Sequence, residues 1–337
     1  NTTGDGNTAV GDQSLGVNTF GANNTAVGYV SLRVNTIGQS NAAFGQSSLY
    51  SNTTGSYNTA VGQNALFSSI TASGNTAVGY SASNASVTGT QNVAVGYQAL
   101  NANLQSYNTA VGYIALSANT TGTENTSVGR IALGQNTYGS YNTAFGNNTL
   151  YGNTTGSSNT GLGYYGLTSN TTGQNNTGVG ANALAANTFG NYNVAVGAGA
   201  FTSNTTASNN TAVGYQAGYT NTFGYNITAV GRAALLNNTT GYELTALGQA
   251  ALAFNTTGIY NTAVGSQASY SNTFGGYNTS VGFQALSSNT TSGSHTAVGY
   301  QALYSNNLNN VATAVGYKAG YAFSAVGAYG EVFVGYN

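Results

Sequence analysis

Apolar residues recur along the chain in short clusters, which are separated by longer runs of Asn, Thr, Ser and Gly. The clearest cluster reads A-V-G: a small residue precedes Val, Phe or Leu, and a marker Gly follows. This marker Gly recurs nineteen times between Gly11 and Gly316. Seventeen of the eighteen intervals are 17 residues long, and the interval from Gly96 to Gly112 is 16 residues long. The chain is therefore a tandem array of one short unit.

The unit reads N-T-A-V-G-Y-Q-A-L-x-S-N-T-T-G-x-Y. It holds two runs of four or five residues that are rich in Thr, Val and Asn, and these are strand lengths rather than helix lengths. N-T-T-G is typical of a turn, and seventeen residues are too few for a propeller blade or a helical repeat. We therefore predict an all-β fold, a parallel β-solenoid (β-roll or β-helix) of about nineteen 17-residue coils. Each coil is expected to contain two short strands and two corners.

Coils of a solenoid stack in register, so each position of the unit becomes a column of like residues. With the marker Gly as position 0, the residue at −1 is always Val, Phe or Leu, and Leu occupies +4 in fourteen of nineteen units. We predict that both columns form a dry interior, in which each Val or Leu contributes roughly 1.5–3 kcal/mol. The predicted core residues are Val10, Val27, Val61, Val78, Val95, Val111, Leu15, Leu100 and Leu303.

Asn occupies position +7 in sixteen of eighteen units. We predict an asparagine ladder along one corner, in which each side-chain amide bonds to the amide of the next coil. The Gly of N-T-T-G is predicted to supply a positive φ there. Several of these Asn begin N-x-S/T sequons, which we attribute to the repeat rather than to glycan attachment. The predicted ladder residues are Asn18, Asn35, Asn52, Asn119, Asn153 and Asn170.

Position −2 is always Ala, Ser or Gly. Alternate side chains of a strand point to opposite faces, so this small column lies opposite the Val column. Two interpretations remain open: the column faces a second solenoid or layer at short distance, or it lies in a flattened interior that admits only small side chains. The variable columns at +1 and −5, which contain many Tyr, are predicted to lie outside.

The repeat array is predicted to span residues 1–316, and residues 317–337 depart from it. A-V-G returns early at Gly327, and the chain closes with E-V-F-V-G-Y-N. We predict one or more irregular C-terminal coils, which serve as a cap or as a joint that adds a strand to the next protomer. The alternative interpretation, also left open, is that the irregular end reflects truncation of a longer protein. The predicted joint residues are Glu331, Val332, Phe333 and Val334.

Charged residues make up only 3% of the chain, and there is no Cys. Four basic residues argue against a nucleic-acid partner. No apolar run reaches the ~18–20 residues of a transmembrane helix, so membrane insertion is not expected. The carboxylates are scattered along the array, and His295 replaces the first Asn of a unit, which we interpret as a tolerated substitution. We therefore predict a non-enzymatic protein without a metal site or cofactor.

Two runs carry a resemblance to known families: N-T-A-V-G-Y-Q-A-G at 210–218 and N-T-T-G-S-Y-N-T-A-V-G at 52–62. They resemble the head repeats of trimeric autotransporter adhesins and the repeat arrays of phage tail fibres and related bacterial surface proteins. The resemblance covers residues 1–316. It implies a parallel β-roll, often of three packed or intertwined chains, that presents an adhesive surface.

The sequence predicts a structural subunit of an extracellular fibre, filament or adhesive appendage on a cell or virion surface. The expected partners are further copies of the chain, head-to-tail or lateral and including a trimer, and surface glycans. Two alternatives remain open. An ice-binding solenoid is favoured by Thr at +8 in most units, although Phe and Tyr interrupt the next column. A glycan-binding, tail-fibre-like solenoid is favoured by the Tyr columns, while hydrolysis would need a carboxylate pair.

Overall fold

The computed structural model describes residues 3–306, 311–323 and 330–336. In these ranges the regular structure consists of twenty short β-strands, and no helix is present. The chain divides into two compact units, Asn1–Thr172 and Gly173–Asn337, and each is a parallel β-solenoid. The predicted fold class is therefore confirmed. The early A-V-G at Gly327 lies outside the described residues, and the predicted boundary after residue 316 stays a prediction.

Within the described ranges each unit contains ten strands of three or four residues. The strands of the first unit are β1 Thr8–Val10, β2 Thr25–Val27, β3 Ala42–Phe44, β4 Thr59–Val61, β5 Thr76–Val78, β6 Val93–Val95, β7 Thr109–Val111, β8 Thr126–Val128, β9 Thr143–Phe145 and β10 Thr160–Leu162. The strands of the second unit are β11 Thr177–Val179, β12 Val194–Val196, β13 Thr211–Val213, β14 Ile227–Val230, β15 Leu244–Leu247, β16 Thr262–Val264, β17 Thr279–Val281, β18 Thr296–Val298, β19 Ala312–Val315 and β20 Glu331–Val334.

Consecutive strands within each unit pair in parallel, and each residue pairs with its equivalent in the next repeat. Ala60 pairs with Ala77 in the first unit, and Ala212 pairs with Ala229 in the second. The 16-residue interval does not disturb this register, because β6 and β7 still pair residue for residue. The corner takes up the missing residue there: the Asn103 amide donates to the carbonyl of Gln105, two residues on. One coil is thus one repeat, as the sequence predicts.

The second expected strand of each coil is not formed. After the marker Gly62, Asn64 and Leu66 have φ of 58° and 51°, in the left-handed region. Residues with a positive φ at +2 and +4 turn the backbone, so the Q-A-L run forms consecutive turns instead of a strand. The prediction of two strands in each coil is therefore wrong: each coil has one strand and a long turn region.

Small residues and Leu fill the interior of each coil. Ala60 at −2, Ala65 at +3 and Leu66 at +4 are all 0% exposed. The predicted core residues Leu15, Leu100 and Leu303 are buried, as expected. The burial of the −2 column confirms the flattened interior, and the alternative that this column faces a second solenoid is wrong.

The Val column lies on the outside of the strands. Since side chains alternate along a strand, burial of Ala at −2 turns the residues at −1 and −3 outward. The prediction that the −1 column belongs to the dry interior is therefore wrong, although the column itself is regular. Its predicted members are Val10, Val61 and Val78, which are 57%, 37% and 36% exposed, and Val27, Val95 and Val111, which are half-buried.

Two departures from the repeat inside the core are compensated by neighbouring coils. Thr149 stands where Ala is usual at +3, and its methyl group occupies the space that a Cβ at Gly161 would need. Ser269 replaces the Leu at +4, and its hydroxyl lies 2.8 Å from that of Ser280, which replaces an Ala at −2. In these two places a changed side chain meets a matching change in the adjacent coil, as a close-packed interior requires.

The last strand continues the solenoid of its own unit. β20 pairs in parallel with β19, and Phe333 lies opposite Ala314 in the inward column. The Phe333 ring packs against Phe323 with ring centroids 4.9 Å apart. Val332 and Val334 point outward and are 66% and 79% exposed. One edge of the predicted joint is therefore occupied by the chain's own β19, and its role between protomers stays a prediction.

Candidate functional site

The predicted asparagine ladder is present at one corner and is fully buried. The side-chain amide of Asn35 donates to Oδ1 of Asn18 at 2.7 Å and to the carbonyl of Gly38 at 3.0 Å. Asn52 donates in the same way to Asn35, at 2.7 Å. The predicted residues Asn119, Asn153 and Asn170 belong to the continuation of this ladder, with amide–amide distances of 2.7–2.8 Å. Their complete burial supports our attribution of the sequons to the repeat.

A second asparagine ladder runs through position −4 and was missed by the sequence reasoning. Oδ1 of Asn24 accepts a hydrogen bond from the backbone N–H of Asn41 at 3.0 Å. The Asn24 side-chain amide donates to the carbonyl of Gly38 at 2.8 Å, so both ladders converge on this carbonyl. The available signal was the recurrence of Asn at −4 in fifteen of nineteen units.

The Gly of N-T-T-G lies at a close approach between coils and does not have a positive φ, and Ala or Ser replaces it in a few units. At Gly38 a Cβ would overlap Oδ1 of Asn35 and the carbonyl of Gly55 in the next coil. Positive φ belongs instead to the marker Gly, for example Gly62 at 129°, a region that L-residues rarely adopt. The predicted positive φ at the N-T-T-G corner is therefore wrong, and close approach of the ladder explains this Gly column.

The +7 ladder is interrupted in the first unit, where Ser69 and Ser86 replace Asn. Oδ1 of Asn52 and the hydroxyl of Ser69 are both buried without a hydrogen-bond partner in the structure. The Ser86 hydroxyl makes only a 3.4 Å hydrogen bond to the carbonyl of Gly89. A serine side chain is too short to span the distance between coils, so the interruption leaves buried polar atoms unsatisfied.

Restoring this ladder is expected to stabilise the first unit. In the double variant Ser69→Asn/Ser86→Asn, new amides can donate to Asn52 and to each other, as in the intact part of the ladder. We expect the free energy of unfolding to rise by about 1–3 kcal/mol, the usual cost of a buried unsatisfied group. Urea unfolding followed by circular dichroism measures the change. The half-buried neighbour Ser68 provides the control, and Ser68→Asn should leave the midpoint unchanged.

His295 occupies a position of the −4 ladder and is 1% exposed. Its Nδ1 accepts a 3.3 Å hydrogen bond from the backbone N–H of Ala312, which corresponds to the bond that Asn makes in other coils. The side-chain amide of Asn306 lies 3.3 Å from Nε2. Burial lowers the pKa of His295 to about 4, so the ring is neutral at pH 7. Its contacts are structural, which agrees with its interpretation as a substituted ladder residue.

Thr at +8 forms a hydroxyl ladder at the corner that the sequence connected with ice binding. The hydroxyl of Thr222 donates to the carbonyl of Thr239 at 2.9 Å, and that of Thr239 donates to the carbonyl of Thr256 at 3.0 Å. The same bond recurs from Thr256 and Thr273. These hydroxyls therefore already have partners within the protein, and this column is poorly suited to bind an external ligand.

A different Thr column lies on the outer face of the strands. In β13–β19 of the second unit, position −3 is always Thr and position −1 is Val except at Leu247. All fourteen side chains are half-buried or exposed, and none is charged. This surface is termed the Thr/Val face. Its residues are Thr211, Val213, Thr228, Val230, Thr245, Leu247, Thr262, Val264, Thr279, Val281, Thr296, Val298, Thr313 and Val315.

Aromatic residues at +1 stack on one another beside the strands. In the second unit Phe283, Tyr300, Tyr317 and Tyr336 form a continuous stack with centroid distances of 4.9–5.4 Å. Stacked neighbours cover the ring faces, and sugars need an open ring face for stacking. This stack therefore gives no support to glycan binding at +1, and glycan binding stays a prediction for exposed rings such as Tyr57, which is 71% exposed.

The corner next to the +8 column of the second unit carries exposed aromatic side chains. Phe223 and Phe274 at +9 are 58% and 63% exposed, and Tyr277 at −5 is 61% exposed. Phe189 and Tyr192 occupy the same columns and are 56% and 62% exposed. Together these five residues are termed the aromatic ridge. Exposed aromatic side chains that cluster along one corner are candidates for contact with another molecule.

The described residues contain no group of three or more His, Asp or Glu side chains that could hold a metal ion. In the same part of the chain no helix is long and apolar enough to cross a membrane. A scan against protein-family models finds no match, and a search of curated proteins finds no significant relative. The resemblance to adhesin heads and tail fibres thus stays a prediction. The proposed functions rest on the Thr/Val face, the aromatic ridge and the buried ladders.

Proposed function

We propose that this chain is a structural, non-enzymatic subunit of an extracellular fibre or adhesive appendage, and that it associates with further copies of itself. The observation that supports this proposal is that the buried positions of the coil are regular and the outward positions vary. The buried Ala, Leu and Asn columns repeat in most coils, whereas the residues that are charged at pH 7 and most aromatic residues occupy outward columns. Such a chain supplies a stiff scaffold with a long surface rather than one reactive centre.

Lateral contact between copies is proposed at the aromatic ridge of the second unit. Aromatic side chains are enriched in protein interfaces, because they bury large areas at a low entropic cost. The five side chains of the ridge are uncharged, although the exposed Glu243 stands in the −5 column between Tyr192 and Tyr277. Packing of two ridges removes several exposed rings from water, and this burial of apolar surface favours association.

Assembly is expected to depend on protein concentration. Analytical ultracentrifugation should show larger species as the concentration rises, and electron micrographs should show filaments with an axial spacing of about 4.8 Å in their diffraction. The variant Phe274→Ser/Tyr277→Ser should weaken assembly. The control Tyr215→Ser/Phe283→Ser removes two exposed rings from the +1 column and should assemble like the unmodified protein. A protein that remains monomeric at all concentrations would refute the proposal.

A further inference from the structure

The structure separates two kinds of Thr that the sequence does not distinguish. At the corner of the second unit, the hydroxyls of the +8 column donate to carbonyls of the next coil. On the Thr/Val face, by contrast, no side-chain hydrogen bond to the protein is found for any of the seven Thr hydroxyls within the described residues. Their donors and acceptors are therefore available to water or to a ligand.

The Thr/Val face is also regular in two directions. Paired strands hold each Thr directly opposite the next, for example Thr211 opposite Thr228 and Thr279 opposite Thr296. Adjacent Thr are thus about 4.8 Å apart along the column, and Thr and Val of one strand are separated by about 6.6 Å. Seven strands extend this grid over about 29 Å. The grid consists of hydroxyl and methyl groups on a strand surface without charges.

We propose that the Thr/Val face binds ice, that is, an ordered lattice of water molecules. Its spacings are of the same order as the distances between water molecules in a face of hexagonal ice, so many hydroxyls can join the lattice at once. Each contact with water is weak, and a solid surface is distinguished from liquid water only when many contacts form together. The buried ladders hold the groups in place before binding, which lowers the entropic cost.

A second copy of the chain is a less suitable occupant of this face. Packing against an apolar partner would bury seven hydroxyls whose hydrogen bonds to water are lost, and unsatisfied buried hydroxyls oppose association. Ice supplies a donor or acceptor to each hydroxyl, while the Val methyl groups fill the spaces between lattice positions. The aromatic ridge, which lies in other columns, remains available for contact between copies.

The central strand of the face provides the test. β16 is the fourth of the seven strands, and Thr262→Lys places a long charged side chain in the middle of the grid. Thr257 lies five residues earlier, is exposed and belongs to the +9 column, so Thr257→Lys is the matched control. Thermal hysteresis and partition into slowly growing ice are measured for the unmodified protein and for both variants, with circular dichroism as the check on folding.

We expect ice binding by the unmodified protein, its loss in Thr262→Lys, and its retention in Thr257→Lys. If Thr262→Lys does not fold, Thr262→Ser/Thr279→Ser takes its place and should reduce thermal hysteresis, because it removes two methyl groups from the grid. Absence of thermal hysteresis in the unmodified protein overturns the proposal. An equal loss of thermal hysteresis in both Lys variants also overturns it. The proposal likewise fails if the unmodified protein does not bind ice and Thr262→Lys changes only the oligomeric state. Filament formation is scored separately with the ridge variants, so either proposal can fail alone.

Discussion

The single substitution Gly218→Leu is expected to destabilise the second unit strongly, although Leu is the usual residue of this column. Phe201 and Gly218 are consecutive members of the +4 column, and the fully buried Phe201 ring occupies the space that a Cβ at Gly218 would need. The backbone does not exclude Leu, because Gly218 has φ of 61° and Leu235 in the next coil has 53°. The obstacle is therefore the ring, and overpacking of this kind costs about 1–3 kcal/mol.

A double-mutant cycle separates this steric effect from others. Phe201→Leu alone leaves a cavity beside Gly218 and is also expected to lose about 1–3 kcal/mol, by analogy with other large-to-small changes in cores. Phe201→Leu/Gly218→Leu restores two consecutive Leu residues and should recover most of the stability, so the coupling energy should approach the sum of the two single losses. Chemical denaturation of the four proteins measures the cycle. Additive losses in the double variant would contradict the proposed compensation between the two coils.

The repeat predicts some features of this fold, whereas paired departures such as Phe201 and Gly218 depend on contacts that the repeat does not show. The 17-residue period gives the parallel stacking and the register, because a column of like residues is meaningful only when coils lie over one another. The Asn column at +7 gives the ladder, since a buried amide needs hydrogen-bond partners and the stacked amides of its own column can supply one in each coil. Compensation between columns, as between Phe201 and Gly218, requires knowledge of which side chains meet across coils.

The sequence alone does not show which face of the strand points inward and which points outward. Both the −2 and −1 columns are uncharged, and the larger Val is the natural candidate for a core. Which face of the strand is buried depends on the backbone at +4, where Leu66 has φ of 51° and turns its side chain into the coil. A left-handed conformation costs a Leu roughly 1–2 kcal/mol, so propensity argues against it. The burial of Leu, which contributes roughly 1.5–3 kcal/mol, offsets this cost.

The tight interior has consequences for the Thr/Val face. With the positive φ at +2 and +4 in place, the −2 positions of the repeat hold only Ala, Ser or Gly between the strand and the turn region, and Thr and Val face solvent together. A larger inward residue such as Phe333 is found at β20, where Gly320 leaves the +4 position empty. The narrow coil therefore determines that the regular hydroxyl and methyl grid lies on the surface rather than in the core.

Acid is expected to destabilise the second unit through His295. Its pKa is lowered by burial to about 4 in the folded protein, whereas an unfolded His titrates near 6.5. Between these values the unfolded chain binds a proton that the folded chain does not, so stability is fully present above about pH 6.5 and is lost as the pH falls toward 4. The loss amounts to about 3 kcal/mol, given 1.36 kcal/mol for each pKa unit. Protonation of Nδ1 would also remove the acceptor for the N–H of Ala312.

His295→Asn provides the control, because Asn is the usual residue of this column and His295 is the only His of the chain. The variant should keep its stability between pH 6.5 and 4.5 while the unmodified protein loses most of the difference, as measured by denaturation at several pH values. The new Asn also leaves the Asn306 amide available to Oδ1 of Asn289, which is buried without a hydrogen-bond partner in the structure. We therefore expect the variant to be at least as stable at pH 7. Parallel pH profiles, or an imidazole resonance that titrates near 6.5 in the folded protein, would contradict the role assigned to His295.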